Sequence, residues 1–207
     1  MAGSYEMNMT SGPLLGKILT FSFPLMCSGV LQLLFNAADI IVVGRYTGHT
    51  ALAAVGSTSA LINLIVNLFV GLSVGANVLI ARSYGAKNMD AVHKGVHTAM
   101  LTAVVGGVFL IFVGVAASRP MLSLMGTPDD VIDQATLYLR IYFVGAPSLL
   151  VYNFGAAILR AVGDTRRPLY FLTLAGIINV VLNLIFVIAF SMGVAGVALA
   201  TIISQTV

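Results

Sequence analysis

The residues able to do chemistry in this sequence are few, and they stand inside long apolar runs. Asp39 is the foremost. Leu33-Leu34-Phe35 precede it and Ile40-Ile41-Val42-Val43 follow it, so it does not simply end a helix at a water surface. Ser28, Gln32, Asn36 and Asp39 are spaced by 4, 4 and 3 residues, which puts them on one face of a helix. A carboxylate in such surroundings must take a proton, meet a cation or collect hydrogen-bond donors, because burying it unmatched is costly. At the centre of a membrane the cost is about 2.5–3.5 kcal/mol on insertion scales, which makes an intramembrane acid a functional candidate. Its face is expected to look into a helix bundle or a wet cavity.

Other polar residues recur at helical spacing. Asn179 and Asn183 are i and i+4, with Gly176 on the same side; Thr201 and Gln205 are again i and i+4; Asn153 stands alone. Each amide has two readings: glue between helices at about 0.6–2 kcal/mol, or an oxygen donor grouped around Asp39. A hard cation such as Na⁺ needs several such oxygens. Ser59, Asn63, Asn67, Gly71 and Gly75 form one i+4 row, which marks either a close packing face or a cavity wall. Pro24 and Pro147 fall inside apolar stretches, where each removes a helix hydrogen bond and favours a kink.

Several sharper signals fail on context. Gly71-Leu72-Ser73-Val74-Gly75 matches the nucleophile-elbow pattern, but that pattern needs a strand-to-helix turn and a His–acid pair; in an apolar helix the glycines read as a packing face. His93 and His97 have the spacing of a helical metal pair, yet no third ligand accompanies them. No phosphate-binding glycine loop is present, and Cys27, the one cysteine, cannot build a disulfide framework. The expectation is a non-enzyme without cofactor, holding no metal beyond a possible Na⁺ at Asp39.

The elements that must position these residues follow from composition. Of 207 residues, 59% are hydrophobic and 8% charged, with a mean hydropathy of +1.03. Soluble domains carry about 25% charged residues; so little polar surface cannot cover a globule of this size, and lipid must be the solvent. The net charge of +3 sits in short connectors and reports topology, not nucleic-acid binding. A crossing helix needs about 20 apolar residues. Spans are predicted at 18–43, 51–81, 95–118, 131–158, 169–190 and 193–207, after an N-terminal segment of residues 1–17. The last is short, uncharged and without a stop signal, so the chain is expected to be cut within a helix. Gly85 is a candidate C-cap, and Gly126-Thr127-Pro128-Asp129-Asp130 predicts a stop, an N-cap at Thr127 and a restart at Pro128. Lys17, Arg82, Lys87, Lys94, Arg160, Arg166 and Arg167 fall on one side of the membrane, against Arg45 and Arg119 on the other and Arg140 within a span. That bias predicts a cytoplasmic N-terminus. The sequon Asn8-Met9-Thr10 is then cytoplasmic and fortuitous.

In order along the chain, Ala38-Asp39 through Val43-Gly44-Arg45 with Ala51-Leu52-Ala53-Ala54-Val55-Gly56, then Gly71–Gly75 with Ala81-Arg82-Ser83-Tyr84-Gly85-Ala86, and then Arg160-Ala161-Val162-Gly163-Asp164-Thr165-Arg166-Arg167-Pro168 resemble motifs of the multidrug and toxic compound extrusion (MATE) transporters. The resemblance implies an all-α integral membrane fold: a six-helix transmembrane bundle forming the N-terminal half of a twelve-helix transporter. It implies export of organic, often cationic or amphipathic compounds across the cell membrane, driven by H⁺ or Na⁺. Its partners would be lipid, a small organic substrate, and a second six-helix lobe or another copy of the chain. It also assigns roles. Asp39 matches the lobe's cation-site acid, and Asn153, Asn179 and Thr201 match polar residues lining that site. Asn183 falls where many relatives carry a second acid, which leaves the coupling ion open. Gln32, Asn36, Asn63 and Asn67 are expected to line the cavity or pack helices. Two rivals stand beside this reading: a flippase for lipid-linked saccharides, disfavoured because the arginines sit in connectors, and a half-protein that assembles without transporting.

Overall fold

The structure, a computed structural model, describes residues 14–207. The sequon and most of the expected N-terminal segment lie outside the described residues, and Leu14 to Lys17 are already helical. Three long helices come first: α1 (Leu14–Tyr46), α2 (His49–Gly85) and α3 (Met89–Leu124). At 33, 37 and 36 residues they exceed the bilayer requirement by several turns. Each therefore tilts or projects beyond the hydrocarbon, and Arg119, expected in a connector, lies within α3. Helices α4 (Asp129–Val144) and α5 (Ala146–Ala161) follow, then α6 (Arg166–Leu184), a π-helical turn at Ile185–Ala189, and α7 (Gly193–Thr206).

Two helices depart from the expected spans. The stretch 131–158 is not one kinked helix: α4 and α5 meet at Gly145 with a bend of 51°. Pro147 does not interrupt a helix but stands in the first turn of α5, where its missing N–H costs nothing. Conversely, α1 stays helical through Pro24.

Backbone hydrogen bonds explain where the helices stop. At the end of α3 the N–H of Gly126 bonds the Ser123 carbonyl and that of Thr127 bonds Leu122, with Gly126 at φ +71°. The end of α5 repeats this with Gly163 and Asp164. Both are Schellman closures that satisfy otherwise orphaned carbonyls. At the end of α2 the left-handed position is Lys87, at φ +56°, while Gly85 is the last helical residue. The expected glycine cap is thus displaced by two residues. The α4 restart also shifts by one: Pro128 is the N-cap, with extended backbone, and Asp129 and Asp130 occupy the first turn. There their charge complements the helix dipole.

Packing divides the bundle. Down α3 a buried stripe of Ala99, Ala103, Gly107, Leu110, Gly114, Ser118 and Leu122 follows helical spacing and lets its neighbours approach closely. A side chain at Gly107 would strike the backbone of Pro147, and one at Gly114 the ring of Phe143. With Leu61, Ile80, Leu139, Leu150 and Phe154 these residues form a dry core among α2, α3, α4 and α5. A smaller core joins Val42 and Val43 of α1 to Ala51 and Val55 of α2, Tyr138 of α4, and Val194, Val197 and Ala198 of α7. Helix α1 leans chiefly on α6, where Phe35 fills the space left by Gly176. Large apolar side chains such as Phe23, Leu34, Leu68 and Phe112 are exposed, as lipid-facing residues are. The proposed packing face at Gly71 and Gly75 is not one: nothing approaches either glycine among the described residues.

Candidate functional site

The helices surround a partly open cavity of about 1040 Å³. Its walls come from five helices and the α6 start: Gln32, Asn36 and Asp39 of α1; Ser59, Asn63 and Asn67 of α2; Tyr138 and Tyr142 of α4; Asn153 and Arg160 of α5; Thr201 and Gln205 of α7; Phe171 of α6. The polar row of α2 is thus a cavity wall, not a packing face. The α1 row does the same with one exception, since Ser28 turns its hydroxyl back to the Pro24 carbonyl at 2.8 Å.

Asp39 is joined to a chain of side-chain hydrogen bonds. The amide nitrogen of Asn183 donates to Asp39 Oδ1 and to Asn179 Oδ1 at 3.1 Å. Asn179 donates to Thr201 Oγ1 at 3.3 Å, and the Thr201 hydroxyl donates to the Val197 carbonyl at 3.0 Å. The chain therefore crosses from α1 through α6 to α7. Its spacing on α6 is the i, i+4 repeat that stacks two side chains on one face. Asn183 and Asn179 are buried, yet Asn183 Oδ1 has no hydrogen-bond partner. A buried amide oxygen without a donor is uncommon, and here it sits beside a carboxylate: an acceptor-rich pocket suited to a proton or a cation.

The sequence-derived set is only partly assembled. Asp39, Asn179, Asn183 and Thr201 come together. Asn153 lines the cavity but spends its amide on the Leu149 carbonyl of its own helix, at 2.9 Å, and does not join Asp39. Pro147 lines the cavity too, whereas Pro24 is buried in α1. His93 and His97 lie together on α3, His97 Nδ1 paired with the His93 carbonyl at 2.8 Å; among the described residues no metal-ligating cluster occurs.

Sequence reasoning missed four contributors. Tyr138 and Tyr142, stacked with ring centroids 6.4 Å apart, carry an i, i+4 spacing that was there to be read. Arg160, expected in a connector, lies in α5 and lines the cavity, so the arginines are not confined to connectors. Asn77 donates to the Ala157 carbonyl at 2.6 Å and pins α2 to α5, a contact without a local signal.

Apolar helices long enough to cross a bilayer, packed around a polar-lined cavity, make this a multi-pass membrane protein. The chain belongs to the MatE family, whose family model matches residues 24–185. It is 34% identical to "Probable multidrug resistance protein YoeA" of Bacillus subtilis, over 89% of this chain and 41% of that protein. It is 30% identical to "Probable multidrug resistance protein YpnP" of the same organism, over 96% and 44%. Among solved structures, an outward-facing multidrug resistance MATE family transporter superposes with a TM-score of 0.86 at 31% identity, over 91% of this chain and 42% of that one. The chain thus spans somewhat under half the length of the relatives it matches.

Proposed function

We propose that the chain works in a cation-coupled antiporter that exports organic, often cationic or amphipathic compounds by alternating access. The observation that carries this reading is Asp39, set in the cavity wall at the head of a hydrogen-bond chain through Asn183, Asn179 and Thr201. The coupling ion is H⁺ or Na⁺. A proton would neutralise Asp39 directly. A Na⁺ would draw on Asp39 with Asn183 Oδ1, Asn179 Oδ1 and Thr201 Oγ1, and the unpartnered Asn183 oxygen supports that fit. Either event weakens the acceptor that holds the Asn183 amide, and so loosens α1 from α6. Each charge moved through 100 mV supplies about 2.3 kcal/mol, enough for a roughly 50-fold concentration ratio of exchanged substrate.

The cavity is only partly enclosed by this chain, which fits closure by a second six-helix lobe or another copy of the chain. The excess of Lys and Arg on one side supports a cytoplasmic N-terminus in the cell membrane. The test is efflux of a fluorescent organic cation from vesicles bearing an imposed H⁺ or Na⁺ gradient. Asp39→Asn is expected to abolish gradient-driven efflux while membrane insertion persists. Efflux undiminished in that variant overturns the reading.

A further inference from the structure

Among the described lysines and arginines, Arg160 is the one that lines the cavity. It ends α5, but its side chain does not reach forward past the helix end. Its Nε donates to the Ala156 carbonyl at 3.0 Å, one turn back towards the helix N-terminus. That direction leads into the cavity, which Arg160 lines together with Tyr152 and Phe171. The side chain is only partly exposed, and among the described residues no carboxylate pairs with it; the ion pairs present are Arg119–Asp133 and Arg167–Asp164. The neighbouring Tyr152 hydroxyl is already committed to the Pro168 carbonyl at 3.3 Å.

A part-buried guanidinium without an acid is out of balance. Partial desolvation costs free energy that only an anion or water can return, and the planar fork suits a carboxylate or phosphate bound through two parallel hydrogen bonds. The cavity is also long. From Pro147 to Arg160, both on its wall, α5 rises about 20 Å. Val66 and Val70 of α2, Val151 of α5 and Phe171 of α6 supply apolar wall. The acid of Asp39 and the base of Arg160 therefore belong to one cavity but to different elements, with an apolar stretch available to a chain or ring system.

We infer that Arg160 forms an anion subsite of the cavity, taking the carboxylate or phosphate group of an amphipathic molecule whose apolar body lies along α5. The inference rests on reading the cavity as a substrate path, and it extends the cargo from cations to anionic and zwitterionic amphiphiles. A phospholipid headgroup offers the same chemistry as a soluble alkyl phosphate, and the experiment separates the two.

The test is equilibrium binding of radiolabelled dodecyl phosphate to the chain in nanodiscs of phosphatidylcholine. Wild type is expected to bind the probe, and Arg160→Gln to bind it about tenfold more weakly or less, the loss of one charge-assisted pair. Arg160→Lys keeps the charge but not the fork. A point charge still holds phosphate well, so this variant is expected to recover more of the dodecyl phosphate binding than of the dodecanoate binding. Unfolding midpoints of both variants report whether the fold survives; should Arg160→Gln fail to fold, the Lys variant's loss of dodecanoate relative to dodecyl phosphate carries the test. Competition by phosphatidylglycerol in the disc, abolished with the Arg, identifies a lipid headgroup as an occupant; its absence assigns the site to soluble amphiphiles. Equal probe binding by wild type and Arg160→Gln, or equal losses of both probes in Arg160→Lys, overturns the subsite. Cation efflux dependent on Asp39 is measured separately, so the two readings fail independently.

Discussion

The two sides of the cavity satisfy their buried polar groups in opposite ways. In the α2–α5 region the hydroxyls of Ser73, Ser118 and Thr136 bond carbonyls of their own helices, Val70, Gly114 and Ile132. One part-buried amide, Asn77, reaches across to the Ala157 carbonyl of α5; the facing surfaces are otherwise mainly apolar, small-residue surfaces that lock by shape. Where α1, α6 and α7 meet, the buried amides bond across helices, from Asn183 to Asp39 and from Asn179 to Thr201. Those helices are held by bonds whose strength depends on whether Asp39 carries a charge. The first arrangement makes a rigid wall. The second makes a wall whose bonding runs through a single acid.

Five substitutions test that contrast. The largest effect is expected from Gly107→Val, which drives a side chain into the backbone of Pro147: a loss of about 3 kcal/mol, read from thermal unfolding in detergent. A small change there would show that the dry region yields as readily as the polar one. Next is Asn183→Leu, which strips Asp39 of its donor and should cost about 2 kcal/mol. Adding Asp39→Leu should recover part of that loss in a double-mutant cycle, because the unmatched acid is gone; strict additivity would mean the pair is not coupled. Gly75→Ala meets nothing within 4 Å and should stabilise by about 0.5–1 kcal/mol through helix propensity, whereas a loss would reveal an unseen contact. Smallest is Asp133→Asn, which breaks the exposed 2.8 Å pair with Arg119 and should move stability by no more than about 0.5 kcal/mol.

The membrane class needed no structure. Long apolar runs cannot be hidden in a chain of this size, and helix is the form that satisfies its own backbone in lipid. The candidate acid was equally legible, since a charge between Phe35 and Ile40 has no inexpensive explanation. So was the helix face carrying Gln32, Asn36 and Asp39, because the 3.6-residue period is a local property.

What the sequence left open was which polar residues meet. Asn153 and Asn183 look alike as amides in apolar helices, yet one bonds its own helix and the other bonds Asp39. The row from Ser59 to Gly75 suited packing better than a cavity, and only the positions of the neighbouring helices made Ser59, Asn63 and Asn67 a wall. Arg160 lay one residue from the end of α5 and read as a connector; the direction of its side chain placed it in the cavity. Periodicity fixes the face on which a residue lies, because that depends on the chain beside it. Its partner depends on how helices distant in sequence cross, and for this protein that was set by Gly107 and Gly114 against Pro147 and Phe143, and by Gly176 against Phe35.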